Sequence, residues 1–142
     1  SSGGADLDKG QGYAYPTALG AKVAQPNKAV VAVCGDGVFM FNVQELATAA
    51  KHNINVVAVV FNDNAFGNVM RDQVNMFDGR EYGAEVQNPD FMKLAEAFGV
   101  RGVRVEGSAP DLAKAVKESL SIEAPTLIEV PVGPMPNPFR NY

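Results

Sequence analysis

Residues 29–37, Ala-Val-Val-Ala-Val-Cys-Gly-Asp-Gly, set the pattern from which the fold can be predicted. The first six of them are apolar and include three valines, which is typical of a β-strand covered on both faces. A second apolar run, Asn-Val-Val-Ala-Val-Val-Phe at residues 55–61, stops at Asn62-Asp63-Asn64 in the same way. Helix-like segments separate these strands from each other and from two later ones. Strands and helices that alternate in this way predict a three-layer α/β/α domain with a mainly parallel sheet.

Caps and apolar spacing place the other elements. Asn42 and Glu45 have the separation of a capping box, which predicts a helix that begins at residue 43. Gly99 suits the residue just past a helix, where the backbone adopts a positive φ. The predicted helices are 17–24 (opened by Pro16), 43–52, 66–74, the one between Asn88-Pro89 and Gly99, and 108–120; the later strands are 102–106 and 126–130. We expect a single domain over residues 1–142, with irregular ends at 1–12 and 131–142.

The composition is that of a globular domain and argues against a nucleic-acid-binding or membrane-spanning protein. The 142 residues are 46% hydrophobic and 20% charged, as in ordinary globular domains. The formal charge of −4 and the lack of a basic stripe argue against a nucleic-acid partner, and the longest apolar run, Val56–Phe61, is too short for a membrane span. The single cysteine, Cys34, excludes an internal disulfide and favours a reducing, cytoplasmic compartment. No signal peptide is recognised, and the lack of an initiator Met suggests a piece of a longer protein.

Acidic residues follow both of the first two strands. Asp36 lies between Gly35 and Gly37, and Asp63 comes 27 positions later. Adjacent parallel strands are about 4.8 Å apart, so carboxylates at their ends can share one cation. Oxygen ligands of this kind favour Mg²⁺, which fills its coordination shell with phosphate oxygens and water. The residues therefore predict a diphosphate site bridged by Mg²⁺; the alternative is that both triplets are ordinary turns.

These residues also carry a resemblance to a known family. Gly35-Asp36-Gly37, the segment 44–49 and Asn62-Asp63 closely resemble the thiamine diphosphate-binding motif, which is GDG, a spacer of about this length, and N-N or N-D. The motif marks the diphosphate-binding (PP) domain of thiamine diphosphate enzymes. Further segments resemble the carboxy-terminal domain of acetolactate synthase-like and 2-oxo acid decarboxylase-like members: 12–24, 66–69, 88–95 and 125–130.

The resemblance implies roles for individual residues. The side chains of Asp36 and Asp63 and the carbonyl of Ala65 would bind Mg²⁺, and backbone N–H groups around Gly37 would hold the diphosphate. The implied cofactor-binding residues are Lys9, Gln11, Gly12, Gly35, Asp36, Gly37, Val38, Asp63, Phe66, Gly67 and Asn68.

Two positions depart from the family pattern. Val38 stands where the family usually has Ser, Ala or Gly, which removes a hydroxyl contact but keeps the backbone donor. Gln11 stands 25 positions before Asp36, where a large apolar residue usually supports the bent cofactor. By the same analogy, the carbonyl of Lys9 would accept the 4′-amino group of the cofactor.

The resemblance also implies an activity. Such enzymes decarboxylate a small 2-oxo acid, ligate the resulting enamine to a second carbonyl compound, or do both. No catalytic residue is expected in this chain, because the family's activating glutamate lies in a pyrimidine-binding (PYR) domain of the same or another subunit. We therefore expect a homo-oligomer, a dimer or tetramer, and an isolated chain without activity. The alternatives are a non-catalytic module that binds thiamine diphosphate or phosphate, and a structural α/β assembly domain.

Three residues have simpler interpretations than catalysis. Glu45 is predicted to cap a helix, and His52 to lie at a helix C-terminus, where the helix dipole favours a cation. Cys34 is predicted to be a small buried hydrophobic residue.

Overall fold

The computed structural model describes residues 12–133, which form helices and one four-stranded sheet. All neighbouring strands are parallel, in the order β1-β2-β4-β3. The elements are α1 (Ala14–Ala24), β1 (Val31–Gly35), α2 (Asp36–Met40), α3 (Glu45–His52), β2 (Val57–Asn62), α4 (Gly67–Met76), α5 (Phe91–Ala97), β3 (Arg101–Arg104), α6 (Ala109–Ser121) and β4 (Thr126–Pro131). Lys9 and Gln11 lie outside the described residues. β4 extends through Pro131, one residue into the segment expected to be irregular.

Helices cover both faces of the sheet, which confirms the predicted three-layer architecture. One face packs against α1, α2, α3 and α5 through a core of Tyr15, Ala18, Leu19, Ala32, Cys34, Phe39, Leu46, Ala49, Val56, Ala58, Val60, Phe91, Ala95, Val100 and Leu127. The other face packs against α6, with Val57, Val59, Val105, Ile128 and Val130 buried. Within the described residues, no helix is long and apolar enough to cross a membrane.

The first strand differs from its prediction. β2 and β4 are central in the sheet and their apolar residues are buried on both faces, as expected for parallel strands. β1 is an edge strand whose residues alternate between buried and exposed. α6 packs over β2 and β4 and leaves Val31 39% and Val33 57% exposed. Covering of β1 on both faces was therefore a wrong prediction, because the sequence run alone does not tell a central strand from an edge strand.

The start of the second helical region also differs. A short helix, α2, begins at Asp36 itself, and α3 begins only at Glu45. Asn42 does not cap a helix, because its side-chain amide donates a hydrogen bond to the carbonyl of Gly12. The predicted capping box was wrong, since a tertiary contact uses the side chain that the local pattern assigned to the cap. Glu45 instead lies in the first turn of α3, where the helix dipole favours an acidic residue.

The remaining elements lie near their predicted bounds, with two differences. α1 begins at Ala14, three residues before the predicted start, because Pro16 is tolerated within the first turn of a helix, and β3 ends at Arg104 instead of residue 106.

Asp90 accepts hydrogen bonds from the amides of Met92 at 2.9 Å and Lys93 at 3.3 Å, so α5 begins at Phe91. Gly99 follows α5 with a φ of 69°, as expected of a residue just past a helix.

The predictions for His52 and Cys34 are confirmed. His52 is the last residue of α3. Cys34 is buried, and its burial, followed by the charge of Asp36, raises the pKa of the thiol to about 12.

Truncation of a side chain between the layers tests this core. Leu127 lies in β4 and is fully buried. Leu127→Ala should lower the free energy of unfolding in urea by about 2–5 kcal/mol, because it removes apolar contacts and leaves a cavity. The matched control is Val33→Ala on the exposed face of β1, with an expected loss below about 1 kcal/mol. Equal losses in the two variants would contradict the assigned layers.

Candidate functional site

The two acidic residues singled out in the sequence come from neighbouring strands. β1 and β2 pair in parallel with Gly35 opposite Phe61. Asp36 follows β1 directly, and Asp63 follows β2 directly, so both lie at the carboxyl edge of the sheet. Burial raises the pKa of Asp63 above its usual range, and the negative charge and side chain of Asp36 raise it further. The two carboxyl groups are therefore close enough to repel each other.

Asp36 is the more deeply placed of the pair. It is 2% exposed, at the first position of α2. Its Oδ2 accepts a hydrogen bond of 2.5 Å from Nδ2 of Asn88, which lies just before α5. The same Nδ2 is 3.0 Å from Oδ1 of Asn62 and 3.3 Å from Oδ1 of Asn64.

The loop after β2 holds Asp63 through its own backbone. Oδ1 of Asp63 accepts from the amide of Ala65 at 3.2 Å, and Oδ1 of Asn62 accepts from the amide of Asn64 at 3.2 Å. Asn64 has a φ of 56°, a left-handed conformation that Asn tolerates better than most residues. The first of these turns holds one oxygen of the Asp63 side chain on the backbone of its own loop. The loop after β2 is therefore a turn, as the alternative interpretation of the triplets predicts. Asp36 and Asp63 nevertheless follow neighbouring strands at the same edge of the sheet.

Ala65 is placed so that its carbonyl is free of the adjacent β-bridge. Ala65 pairs with Glu85 in an isolated antiparallel bridge. The bridge hydrogen bonds run from Phe66 N–H to Ala84 C=O and from Val86 N–H to Asn64 C=O, 2.8 Å each. They do not use the carbonyl of Ala65, which remains a possible ligand.

Glycine and aromatic residues form one wall of the site. The ring of Phe66 occupies the space that a Cβ at Gly37 would need. Phe66 stacks on Phe41, with ring centroids 6.1 Å apart and planes at 28°. Gly12 has a φ of 77°, and a Cβ built there would lie 3.3 Å from Cβ of Phe41. A continuous series of contacts therefore runs from the segment before α1 to the site, through Gly12, Phe41, Phe66 and Gly37.

The other residues implied by the resemblance lie nearby but differ in exposure. A Cβ at Gly67 would lie 3.1 Å from Oδ2 of Asp63, so Gly67 lets α4 begin close to the carboxylate. Asn68 is exposed in the first turn of α4, and Gly35 is exposed at the end of β1. Val38 is half-buried and packs against the core from α2.

A polar network behind the acidic pair was not predicted from the sequence. Glu129 lies in the middle of β4 and is 3% exposed. Its Oε2 accepts from Nε of Arg104 and its Oε1 from Nδ2 of Asn62, both at 2.8 Å. Asn62 in turn contacts Asn88, and Asn88 contacts Asp36. The available signal was a charged residue inside the apolar run Thr-Leu-Ile-Glu-Val, since a buried charge needs partners.

The donor set fits Mg²⁺. Two carboxylates and one available carbonyl are hard oxygen ligands, and Mg²⁺ takes few protein ligands when phosphate oxygens and water complete its shell. Within residues 12–133, no three or more His, Cys, Asp or Glu side chains are arranged so that they could hold a metal ion by themselves, so a binding site here needs a backbone or ligand oxygen as well. Burial is the main cause of the raised pKa of Asp63, and the charge of Asp36 adds to it; a shared cation would relieve this second effect.

A family model described as the C-terminal TPP binding domain of thiamine pyrophosphate enzymes matches residues 9–130. The chain belongs to this family. The resemblance stated from the motif is thereby confirmed, and thiamine diphosphate is the cofactor of the family.

Named relatives agree with the family assignment. A probable acetolactate synthase large subunit of Methanococcus aeolicus is 39% identical over 94% of this chain and 22% of that protein. A sulfoacetaldehyde acetyltransferase of Castellaniella defragrans is 36% identical over 84% of this chain and 20% of its own length. The thiamine diphosphate-dependent 4-hydroxybenzoylformate decarboxylase of Rhodococcus jostii superposes with a TM-score of 0.78 and 36% identity, over 86% of this chain and 23% of that one. The TPP-binding domain thus spans about a fifth of the length of the curated relatives it matches.

Substitution at the glycines of the motif tests the aromatic wall. Gly37→Ala should lower the free energy of unfolding by about 1–3 kcal/mol, because the new methyl group forces the Phe66 ring out of its position. The control is Gly35→Ala in the same motif, where φ is −79° and no atom lies within 4 Å of the added Cβ. Urea denaturation without metal should show little change for that variant. A loss at position 35 as large as that at 37 would contradict the packing.

The acidic pair predicts that Asp63→Asn raises thermal stability, and that the size of this increase depends on pH. The raised pKa of Asp63 means that the folded state holds this proton more tightly than the unfolded chain does. Stability of the metal-free wild type should therefore fall as the pH rises from about 4 through the folded pKa. Asp63→Asn removes that fall, keeps the turn acceptor, and should melt above the wild type at pH 7 but not at pH 4.

Circular dichroism melts in EDTA at both pH values would measure this difference. Asp78→Asn at an exposed aspartate controls for the loss of one negative charge. A variant that melts below the wild type at pH 7 would show that Asp63 is not under repulsion.

Proposed function

We propose that the carboxyl edge of this sheet holds Mg²⁺ and the diphosphate of thiamine diphosphate, in an enzyme that acts on a small 2-oxo acid. The reaction is decarboxylation, with release of the product or its ligation to a second carbonyl compound. The observation that carries this proposal is the placement of Asp36 and Asp63 directly after two adjacent parallel strands, with the charge of Asp36 adding to the effect of burial on the pKa of Asp63. The names of the relatives, which include acetolactate synthase and a decarboxylase, support the reaction class.

Each residue of the site has a defined task in this proposal. The carboxylates of Asp36 and Asp63 and the carbonyl of Ala65 bind the cation. The first N–H groups of a helix have no partner within the helix, so those of Gly37 and Val38 can donate to phosphate oxygens. In the predicted Phe66-Gly67-Asn68 segment at the start of α4, the N–H groups of Gly67 and Asn68 are proposed as further donors, because that of Phe66 already bonds to the carbonyl of Ala84. Gly12 is proposed to contact the cofactor from the segment before α1; Lys9 and Gln11, proposed for the same role, lie outside the described residues.

The chain contributes binding and electrostatics to the reaction. When bound, thiamine diphosphate supplies the nucleophilic carbon and the electron sink for loss of CO₂. The residues of this domain hold the diphosphate end, so that the reactive ring is presented in one position. No proton transfer is assigned to a side chain of this domain. The activating glutamate is proposed to come from a PYR domain of the same or another subunit, within a homo-oligomer.

The proposed location is the cytoplasm. Cys34 is a buried free thiol, which is compatible with a reducing compartment.

Ligand-dependent melting of the native protein tests the proposed function. Thiamine diphosphate with Mg²⁺ at 100 times Kd should stabilise it by about 2.7 kcal/mol. Asp36→Asn should abolish this stabilisation and the release of CO₂ from 2-oxo acids, because it removes a charged ligand of the cation. Asp78→Asn, at an exposed position, should keep both.

The pattern of results separates the alternatives. Stabilisation without CO₂ release from any 2-oxo acid would indicate a non-catalytic binding module. No stabilisation of the native protein would leave the structural assembly domain. Full turnover by an isolated chain of 142 residues would refute the requirement for a PYR domain.

A further inference from the structure

We propose that Asn88 is a positioning residue that orients the carboxylate of Asp36 for the divalent cation. The inference rests on the proposed function, because it takes Asp36 as a ligand of that cation. Asn88 lies 52 residues from Asp36 in the sequence, and its Nδ2 is 2.5 Å from Oδ2 of Asp36. It does not touch the cation in this proposal but acts through the ligand.

The oxygens around Asn88 determine which way its amide points. Three of them, from Asp36, Asn62 and Asn64, lie 2.5, 3.0 and 3.3 Å from Nδ2. A flipped amide would bring its own oxygen against all three, which is repulsive in each case. The nitrogen therefore faces the acidic residue, and one carboxylate oxygen of Asp36 is held by a donor.

The buried glutamate makes this orientation obligatory. Beside the guanidinium of Arg104, Glu129 acts as an acceptor, so the amide of Asn62 must turn its nitrogen toward it at 2.8 Å. The oxygen of Asn62 is then left facing Asn88, which can meet it only with its own nitrogen. The ion pair of Arg104 and Glu129 thus fixes the orientation of the Asn62 amide, which in turn fixes that of Asn88. As a result, Nδ2 of Asn88 donates to Asp36.

Asn88 has a buried oxygen without a partner, which indicates that the residue is present for the hydrogen bond that its nitrogen donates. Its Oδ1 is buried and has no hydrogen-bond partner, while its Nδ2 faces three acceptors. Leaving a buried acceptor unpaired costs stability. An amide that served packing alone would be expected to satisfy both ends.

A neutral donor suits a carboxylate that must bind a cation. The hydrogen bond from Asn88 occupies Oδ2 of Asp36 and limits rotation of the carboxylate. In this proposal the other oxygen, Oδ1, binds the metal. A lysine or arginine in this place would also orient Asp36 but would cancel its charge. The amide orients the ligand and leaves its charge intact.

Binding of Mn²⁺ by the native protein, in the presence of thiamine diphosphate, tests the inference. Electron paramagnetic resonance of free Mn²⁺ gives the Kd, and circular dichroism reports folding. Asn88→Ala and the volume-preserving Asn88→Leu should weaken Mn²⁺ binding roughly 10- to 100-fold. Saturating Mn²⁺ should restore most of the turnover, because the defect lies in metal affinity rather than in kcat.

Asn55→Ala is the matched control. Asn55 also has a buried Oδ1 without a partner, but it lies just before β2, at the opposite end of the sheet. Its removal should leave the Kd for Mn²⁺ within about twofold of the wild type.

The possible results distinguish failure of the role proposed for Asn88 from failure of the proposed function. Folded Asn88 variants with wild-type affinity would overturn the inference, and so would failure of both to fold, which would make Asn88 a structural residue. A wild type that binds no Mn²⁺ with the cofactor would reject the proposed function, and the inference with it.

Discussion

Two carboxylates that repel each other are the constraint on which the carboxyl edge of this domain depends. Parallel pairing of β1 and β2 brings Asp36 and Asp63 to the same edge, and the amide of Ala65 donates a hydrogen bond to one oxygen of Asp63 in the turn after β2. The fold therefore holds a local excess of negative charge. Such an arrangement opposes folding in the absence of a cation and becomes favourable when a cation is shared, which couples stability of the edge to occupancy of the site.

The rest of the edge is arranged around this charge. Asp36 is buried and receives a hydrogen bond from a neutral amide, whereas Asp63 remains partly exposed with a backbone amide on one oxygen. Behind them, buried Glu129 pairs with the partly exposed Arg104 of edge strand β3, and this pair sets the direction of the amides that reach Asp36. The two layers of helices bury the apolar faces of the strands. The polar groups are thereby concentrated at one end of the sheet.

Sequence patterns predicted the parts of this structure that depend on local periodicity. The apolar runs gave both central and edge strands, and the ends of β1 and β2 identified the acidic pair. The distinction between edge and centre was lost, because both β1 and β2 consist mainly of Val and Ala residues. The helix α2 was also missed: five residues are too few to show a helical period.

Side-chain contacts between distant segments were beyond sequence reasoning. Asn42 fits a capping box by its spacing, yet its amide contacts Gly12, thirty residues away. Asn88 next to proline resembles the start of a helix, and nothing in its neighbours indicates a contact with Asp36. Glu129 did carry a signal, since an acidic residue in an apolar strand must find partners.

The protonated state of Cys34 has a practical consequence. The thiolate is the form that reacts with maleimides and iodoacetamide, and a thiol buried in the core with a pKa of about 12 supplies almost none of it at neutral pH. Because the chain has one cysteine, a second one introduced on the surface would be the site that takes up a fluorophore or spin label. Single-site labelling then needs no prior removal of Cys34, and the core that contains it can stay intact.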